Sequence, residues 1–451
     1  MSYLPVFEQL LKGLVCLSFL VFIHELGHFL VAIKAGVKVH TFSIGFGKKL
    51  LKYKHKGVEY CISAIPFGGY VAMKGENPDS EESGEDSFAK QPKRVRAAIA
   101  LGGPLVNIFF AFFLLVFVYM AGMPEPVQKN IIIGDIKANS PAEMAGFLPN
   151  DTLELVNGNP IQGWLALDKE IALNLNEPLK VQIKRGEEQK ELTLIPAERI
   201  EQGTAMGVGY AGWNPKHSVM VGGEPTEGSP SDGVGIQVGD TLLSINGKDI
   251  VNSADLIQSV QESKGSEIAL VLGNEAGRKE IKLSPRLDKD CVYRIGLPLS
   301  AAFVINSMSF GNAIKESWNK GIKYALEPFK FLYKIITGGI KVKAMSGGVG
   351  IAQVMGKSMD YGWTYFFWLM AVISMNLGIM NLLPLAVTDG GILMFLTLEW
   401  LRGKPLDQSI MVKIQQVFFY LFISLFLYIT FQDVNKFKLF AEKPNECIDH
   451  R

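Results

Sequence analysis

Val21-Phe22-Ile23-His24-Glu25-Leu26-Gly27-His28 is the stretch on which the reading of this chain turns. H-E-x-x-H on a helix sets two imidazoles one turn apart on one face, where both can hold the same metal ion. The glutamate beside them can take a proton from the water that such a metal activates. Around the motif the chain is apolar: Leu14-Val15-Cys16-Leu17-Ser18-Phe19-Leu20 precedes it, and Phe29-Leu30-Val31-Ala32-Ile33 follows. A soluble amphipathic helix would carry such residues on a wet face, and no wet face exists between Leu14 and Ile33. Two histidines and a glutamate at bilayer depth are costly, so a function is the default reading there. The motif predicts a zinc hydrolase working inside a membrane, with His24 and His28 as ligands and Glu25 as the catalytic base.

The rest of the chain fits a membrane protein with a large polar portion. It has 451 residues, 48% of them hydrophobic, and a mean hydropathy of +0.20, high for a cytosolic enzyme and too long for one ordinary domain. A net charge of +1 gives no footprint for nucleic acid. The four cysteines, Cys16, Cys61, Cys291 and Cys447, are far apart and form no C-x-x-C pair. Neither a disulfide framework nor a thiolate zinc site is therefore expected. The N-terminal apolar segment lacks a basic leader and a small-residue cleavage site, and it carries the candidate ligands, so it is read as a retained span.

Four apolar stretches are long enough to cross roughly 30 Å of hydrocarbon. The expected fold is an α-helical polytopic membrane protein with four transmembrane helices and two β-rich PDZ domains inserted between the second and third spans. The expected division is a first span, 1–33, a cytoplasmic loop with membrane-associated β segments, 34–96, and a second span, 97–121. The two PDZ domains follow at 122–214 and 215–300, with amphipathic linker helices over 301–362. The third span, with the Asp-Gly motif, is 363–391; a cytoplasmic connection, 392–413, a fourth span, 414–431, and a tail, 432–451, complete the chain.

The PDZ expectation rests on an internal repeat. One copy reads Ser140-Pro141-Ala142-Glu143 through Asn150-Asp151-Thr152-Leu153 to Asn157-Gly158; the other reads Ser229-Pro230-Ser231-Asp232 through Gly239-Asp240-Thr241-Leu242 to Asn246-Gly247. Each is a Ser-Pro helix start, an Asp-Thr strand start and an Asn-Gly hairpin turn. The pattern resembles the bacterial form of the PDZ domain, which binds extended peptides or chain termini by adding a strand to a sheet edge. Asn150 stands in the first copy where the second has Gly239.

A third metal ligand is sought by topology. Spans one and three run in the same direction, so His24 and His28 near the end of the first meet the same membrane face as Asn381-Leu382-Leu383-Pro384-Leu385-Ala386-Val387-Thr388-Asp389-Gly390-Gly391 at the end of the third. Asp389 completes a two-histidine, one-carboxylate site there; alternatively it is an ordinary Asp-Gly turn residue.

Taken together, His24-Glu25-Leu26-Gly27-His28, Gly103-Pro104-Leu105-Val106-Asn107, the paired repeats and Asn381 through Gly391 resemble, in order and spacing, the bacterial site-2 proteases. The resemblance implies intramembrane zinc proteolysis of single-span membrane proteins, notably anti-sigma factors already trimmed by another protease, and of remnant signal peptides. By motif match it makes His24, His28 and Asp389 ligands of Zn2+, Glu25 the catalytic glutamate and Asn381 a group that holds substrate backbone. Asn107, Gly68 and Gly69 are further candidate substrate contacts. Thr388, Ala386 and Gly348 depart from the residues usual in that family, which bears on local geometry and removes no chemical group.

Orientation follows from charge. Lys34, Lys38, Lys48, Lys49, Lys52, Lys54 and Lys56, then Lys93, Arg94 and Arg96, crowd the loop between spans one and two and place it in the cytoplasm. The expected location is the bacterial inner membrane, with the active site open to the cytoplasm and the PDZ domains and both termini periplasmic. Segments 40–47 and 60–73 of that loop read as β structure able to pair with an extended substrate. Phe310, Ile314, Trp318, Ile322 and Phe329, with lysines between, read as an amphipathic helix on membrane lipid. Two rival readings are a non-catalytic PDZ membrane scaffold and a membrane-anchored metallopeptidase acting on soluble substrates, with Glu59 as the nearest acid in the loop.

Overall fold

The computed structural model describes residues 4–76, 84–126, 130–161, 163–201, 204–274, 277–288, 291–301, 303–404 and 406–441. Among them the α-helices are, in chain order, α1 (Leu4–Lys34), α2 (Lys93–Ala121), α3 (Pro141–Met144), α4 (Trp164–Ala172), α5 (Ser253–Glu262), α6 (Phe310–Thr337), α7 (Gly348–Ser358), α8 (Trp363–Asn381), α9 (Asp389–Arg402) and α10 (Gln408–Ala441). Four of them, over Phe7–Lys34, Lys93–Ala121, Trp363–Asn381 and Ser409–Val434, are long and apolar enough to cross a membrane. The chain divides into two compact units, one holding these four helices and one holding most of the segment between the second and third.

In the helical unit, glycine sets how the helices meet. A Cβ on Gly27 of α1 would collide with the carbonyl oxygen of Gly102 on α2, and one on Gly13 would collide with that of Ala352 on α7. Without hydrophobic drive between helices in lipid, this close backbone approach is what packing has to offer. Leu20, Leu115, Phe366 and Ala371 fill the core among α1, α2 and α8. The small residues Ala313, Ser317 and Gly321 form the buried side of α6, while Phe310, Ile314, Trp318 and Ile322 stay exposed as an apolar stripe. Helix α10 is held differently: Asp433, 2% exposed, accepts the N–H groups of Gly347 and Gly350 at the start of α7, both at 2.9 Å.

Two long strands, β1 (Val39–His55) and β2 (Val58–Met73), fold after α1. Each bends, so that Phe42 and Ser43 pair with Val71 and Tyr70 on one side and with Tyr60 and Cys61 on the other, while Lys49 and Lys52 pair with Ser63 and Cys61. The result is a sheet whose 69–73 segment forms one edge. Phe29, Phe42, Val58 and Val71 bury its face against the end of α1.

Both repeats share one strand order, although the Ser-Pro start forms a helix only in the first, at Pro141–Met144, and turns after Ser229 in the second. In the first, strands run in the order Trp213–Pro215, Ile131–Ile136, Thr152–Val156, Leu179–Arg185, Glu188–Leu194. In the second the order is Leu299–Ala301, Val219–Val221, Thr241–Ile245, Ile268–Asn274, Gly277–Leu283. Asn157 and Asn246 sit at φ +50° and +49° in their turns, and their side chains accept the N–H of Lys180 and of Ala269 at 3.0 and 2.8 Å. Asn150 takes φ +70° where Gly239 has +93°, a conformation asparagine tolerates better than other non-glycine residues. Each sheet closes its own apolar core, around Ile133, Phe147 and Trp213 in one and Val219, Leu242 and Leu270 in the other.

Two expectations need correction. The Asp-Gly motif does not end the third span: α8 stops at Asn381, and Asp389 opens a separate helix after a tight turn. Cys291 is disulfide-bonded, since separation along the chain says nothing about separation in space. Cys447 lies outside the described residues.

Candidate metal centre

One helical turn carries His24 and His28 inward together, and both are buried. Their Nε2 atoms lie 3.2 Å apart. Asp389 Oδ2 lies 3.1 Å from the first and 3.4 Å from the second. A tetrahedral zinc with ligands near 2.0–2.1 Å separates its donors by roughly 3.3 Å. Three donor atoms so spaced, two nitrogens and a carboxylate oxygen, fit one zinc ion, and they form the one such His/Cys/Asp/Glu cluster among the described residues.

Local sequence explains how Asp389 arrives. After α8, the hydroxyl of Thr388 donates to the carbonyls of Leu383 and Leu385 at 2.8 and 3.0 Å, closing the 382–388 turn. Cβ atoms on Gly390 or Gly391 would collide with the carbonyl oxygens of Leu383 and Leu385, so only glycine lets this turn fold back. Asp389 then occupies the first turn of α9, where the free N–H groups favour a carboxylate. The departure at Thr388 thus contributes a bond of its own.

Helix α2 backs the two rings. The Nδ1 of His28 lies 2.8 Å from the carbonyl of Ile99. A Cβ on Gly103 would collide with His28 Nε2 and would lie 2.8 Å from His24 Cε1. Gly103, part of the Gly103–Asn107 motif, is thus where α2 can come this close to both rings.

In front of the cluster is a cavity of about 360 Å³ lined by His24, Glu25, His28, Asn381 and Asp389, and by the strand segment Gly68 to Val71. Gly69 brings backbone against the glutamate: a Cβ there would lie 3.0 Å from Glu25 Cγ. Asn381 Nδ2 lies 3.3 Å from His24 Nε2, beside the converging donors. Glu76 and Phe88 also line the cavity; no feature of the sequence had pointed to them. Glu59, the rival acid, pairs with Lys49 instead.

Asn107 departs from expectation. It is 0% exposed and does not line the cavity, where Asn381, Gly68 and Gly69 do. Its side chain faces the Nδ1 of His24 at 3.3 Å, behind the ring.

Comparison with known proteins gives this chain a family. Peptidase family M50 matches residues 12–425. The chain belongs to peptidase family M50. It is a zinc metalloendopeptidase of the site-2 protease type and a bacterial membrane protein. The regulator of sigma E protease from Haemophilus influenzae is 33% identical over 439 residues, covering 93% of this chain and 97% of the relative. The regulator of sigma-E protease RseP from Escherichia coli K12 is 30% identical over 422 residues, covering 89% and 93%. A protein from Neisseria meningitidis whose name describes a zinc metalloprotease is 33% identical over 420 residues, covering 89% and 93%. The site-2 protease resemblance is thereby shown for essentially the whole chain.

Proposed function

We propose that this M50 peptidase hydrolyses peptide bonds inside the transmembrane segments of single-span membrane proteins, such as pre-trimmed anti-sigma factors and remnant signal peptides, at a zinc site formed by His24, His28 and Asp389. The observation that carries this is the convergence of three ligand atoms 3.1–3.4 Å apart, two of them on a helix of membrane-crossing length and the third from the start of α9.

Bound zinc, held by His24, His28 and Asp389, would supply Lewis acidity, lowering the pKa of water towards neutrality and polarising a carbonyl. Glu25 takes the proton of the attacking water and returns one to the leaving amine nitrogen. Asn381, at the cavity wall beside the donors, holds the scissile carbonyl with its amide. A helical peptide bond is shielded by its own hydrogen bonds, so the substrate span unwinds locally before it reaches Glu25. The 69–73 edge of β2 offers replacement bonds to the extended chain, and Gly68 and Gly69 let it approach closely.

Orientation is supported by the basic loop, which favours a cytoplasmic opening in the inner membrane. The disulfide at Cys291 favours an oxidising, periplasmic side for the repeats. The repeats act as PDZ domains toward peptide or chain-terminus ligands, and the exposed stripe of α6 rests on membrane lipid. Deleting 131–297 and supplying an untrimmed substrate separates gating, which gives new cleavage, from recruitment, which gives none.

The test is purification in detergent, metal analysis, and cleavage of a model single-span protein against Glu25→Gln. Zinc near one per chain with cleavage inside the span supports the reading; cleavage only outside the span sinks it.

A further inference from the structure

Two buried imidazoles that aim Nε2 at one metal carry a constraint on their other nitrogens. A neutral imidazole has one N–H, so a ring that ligates through Nε2 holds its proton on Nδ1. A buried N–H needs an acceptor. For His28 the acceptor is the Ile99 carbonyl, 2.8 Å away on α2. For His24 the facing group is the carboxamide of Asn107, also on α2, with its Nδ2 placed 3.3 Å from Nδ1.

As placed, a donor therefore faces a donor whenever His24 ligates through Nε2. The two ends of a carboxamide have the same shape, and hydrogen bonding decides which faces which. Asn107 Oδ1 has no hydrogen-bond partner among the described residues, so no bond holds the amide in that sense. A half-turn brings Oδ1 onto Nδ1. The residue itself is well anchored: it is 0% exposed, and its backbone carbonyl accepts the hydroxyl of Ser374 on α8 at 2.9 Å.

We propose that Asn107 is a positioning residue, whose Oδ1 accepts the Nδ1 proton of His24 and holds that ring in the tautomer whose Nε2 can bind zinc. This rests on the metal site proposed above. Helix α2 then serves both ligands, through a backbone carbonyl for His28 and a side-chain carbonyl for His24. Outer partners of this kind fix ring orientation and typically change metal affinity about 10–100-fold.

The test uses the full chain in detergent, with zinc as the probe. Asn107→Leu removes the acceptor at similar volume, and Asn107→Asp keeps an acceptor without any donor. Chelator competition is expected to show zinc affinity about 10–100-fold lower for the leucine variant and undiminished for the aspartate variant. Nitrogen NMR of the zinc-loaded wild type is expected to show His24 protonated at Nδ1. Equal losses in both variants, no loss in the leucine variant, or an unprotonated Nδ1 each overturn the proposal. If the leucine variant does not fold, the aspartate variant and the NMR spectrum decide. Failure of the wild type to bind zinc at all would instead overturn the metal site itself.

Discussion

Asp389 in the helical unit and Asp151 in the first repeat are both largely buried carboxylates, and their surroundings differ in kind. Asp151, with its side chain 1% exposed, is met by Arg185 through two nitrogens at 2.8 Å and by the N–H of Leu148 at 2.8 Å. Its charge is answered by donors built into the same fold. Asp389, 17% exposed, faces two imidazole nitrogens that are themselves ligand atoms. Donors that surround a carboxylate finish a structure, whereas electron pairs that converge on one point leave room for a cation. Asp240 in the second repeat follows the pattern of Asp151 with weaker partners: Asn274 and Lys279 stand in for the arginine, at 2.7 and 2.5 Å.

The largest effects belong to the convergent site. Asp389→Asn is expected to abolish cleavage and lower zinc occupancy while the chain stays folded, measured by metal analysis beside thermal unfolding. Wild-type zinc content in that variant would put Asp389 in the same class as Asp151. Glu25→Gln should keep zinc and lose about 10²–10⁴-fold in turnover, because it removes a proton carrier and no ligand. Gly103→Ala should lose both zinc and activity, since its methyl would occupy the space of the two rings; normal zinc binding there would show that α2 can withdraw.

The next effects belong to the repeats, and they fall on stability. Asp151→Ala leaves Arg185 only the Gly146 carbonyl and strips the Leu148 N–H of its acceptor, and is expected to cost about 2–3 kcal/mol. Asp240→Ala should cost about 1–2 kcal/mol, because Lys279 can swing into water and Asn274 carries no charge. Hydrogen exchange in the strands Thr152–Val156 and Thr241–Ile245 of the full chain reads both, and equal losses would erase the distinction between arginine and lysine partners.

The smallest effect is at the surface. Hydrogen bonds from Lys341 and Lys343 hold the Glu198 carboxyl down at about 2, against an ordinary value of 4.5. A depressed carboxylate contributes stability that is present above its unfolded pKa and is lost as pH falls through its folded one. The 341–344 segment should therefore loosen between pH 4.5 and about 2, and Glu198→Gln should remove that pH dependence. Exchange at Lys341 followed across this window checks it.

What the sequence made legible depended on locality. His24, Glu25 and His28 lie within one helical turn, so helical periodicity alone puts the two histidines on one face. The paired repeats were legible because each turn signal, Asn157-Gly158 and Asn246-Gly247, acts over two residues. Asp389 needed the parallel run of two spans, and its position at the start of α9 depended on a turn closed by Thr388 and two glycines, which span length does not reveal. The motif around Asn107 says that it is near the site but not on which side of the His24 ring it lies. The disulfide at Cys291 was missed because pairing in space has no signature in spacing.

Gly69 has a consequence for how such a protein could be studied. Where a strand passes the glutamate as bare backbone, the partners it offers are amides and carbonyls, which every polypeptide possesses in the same order. A site of that kind reads grammar and ignores vocabulary. Searching a proteome for a consensus sequence around cleaved bonds should then return little, while ranking spans by how readily they leave the helix should recover the true clients.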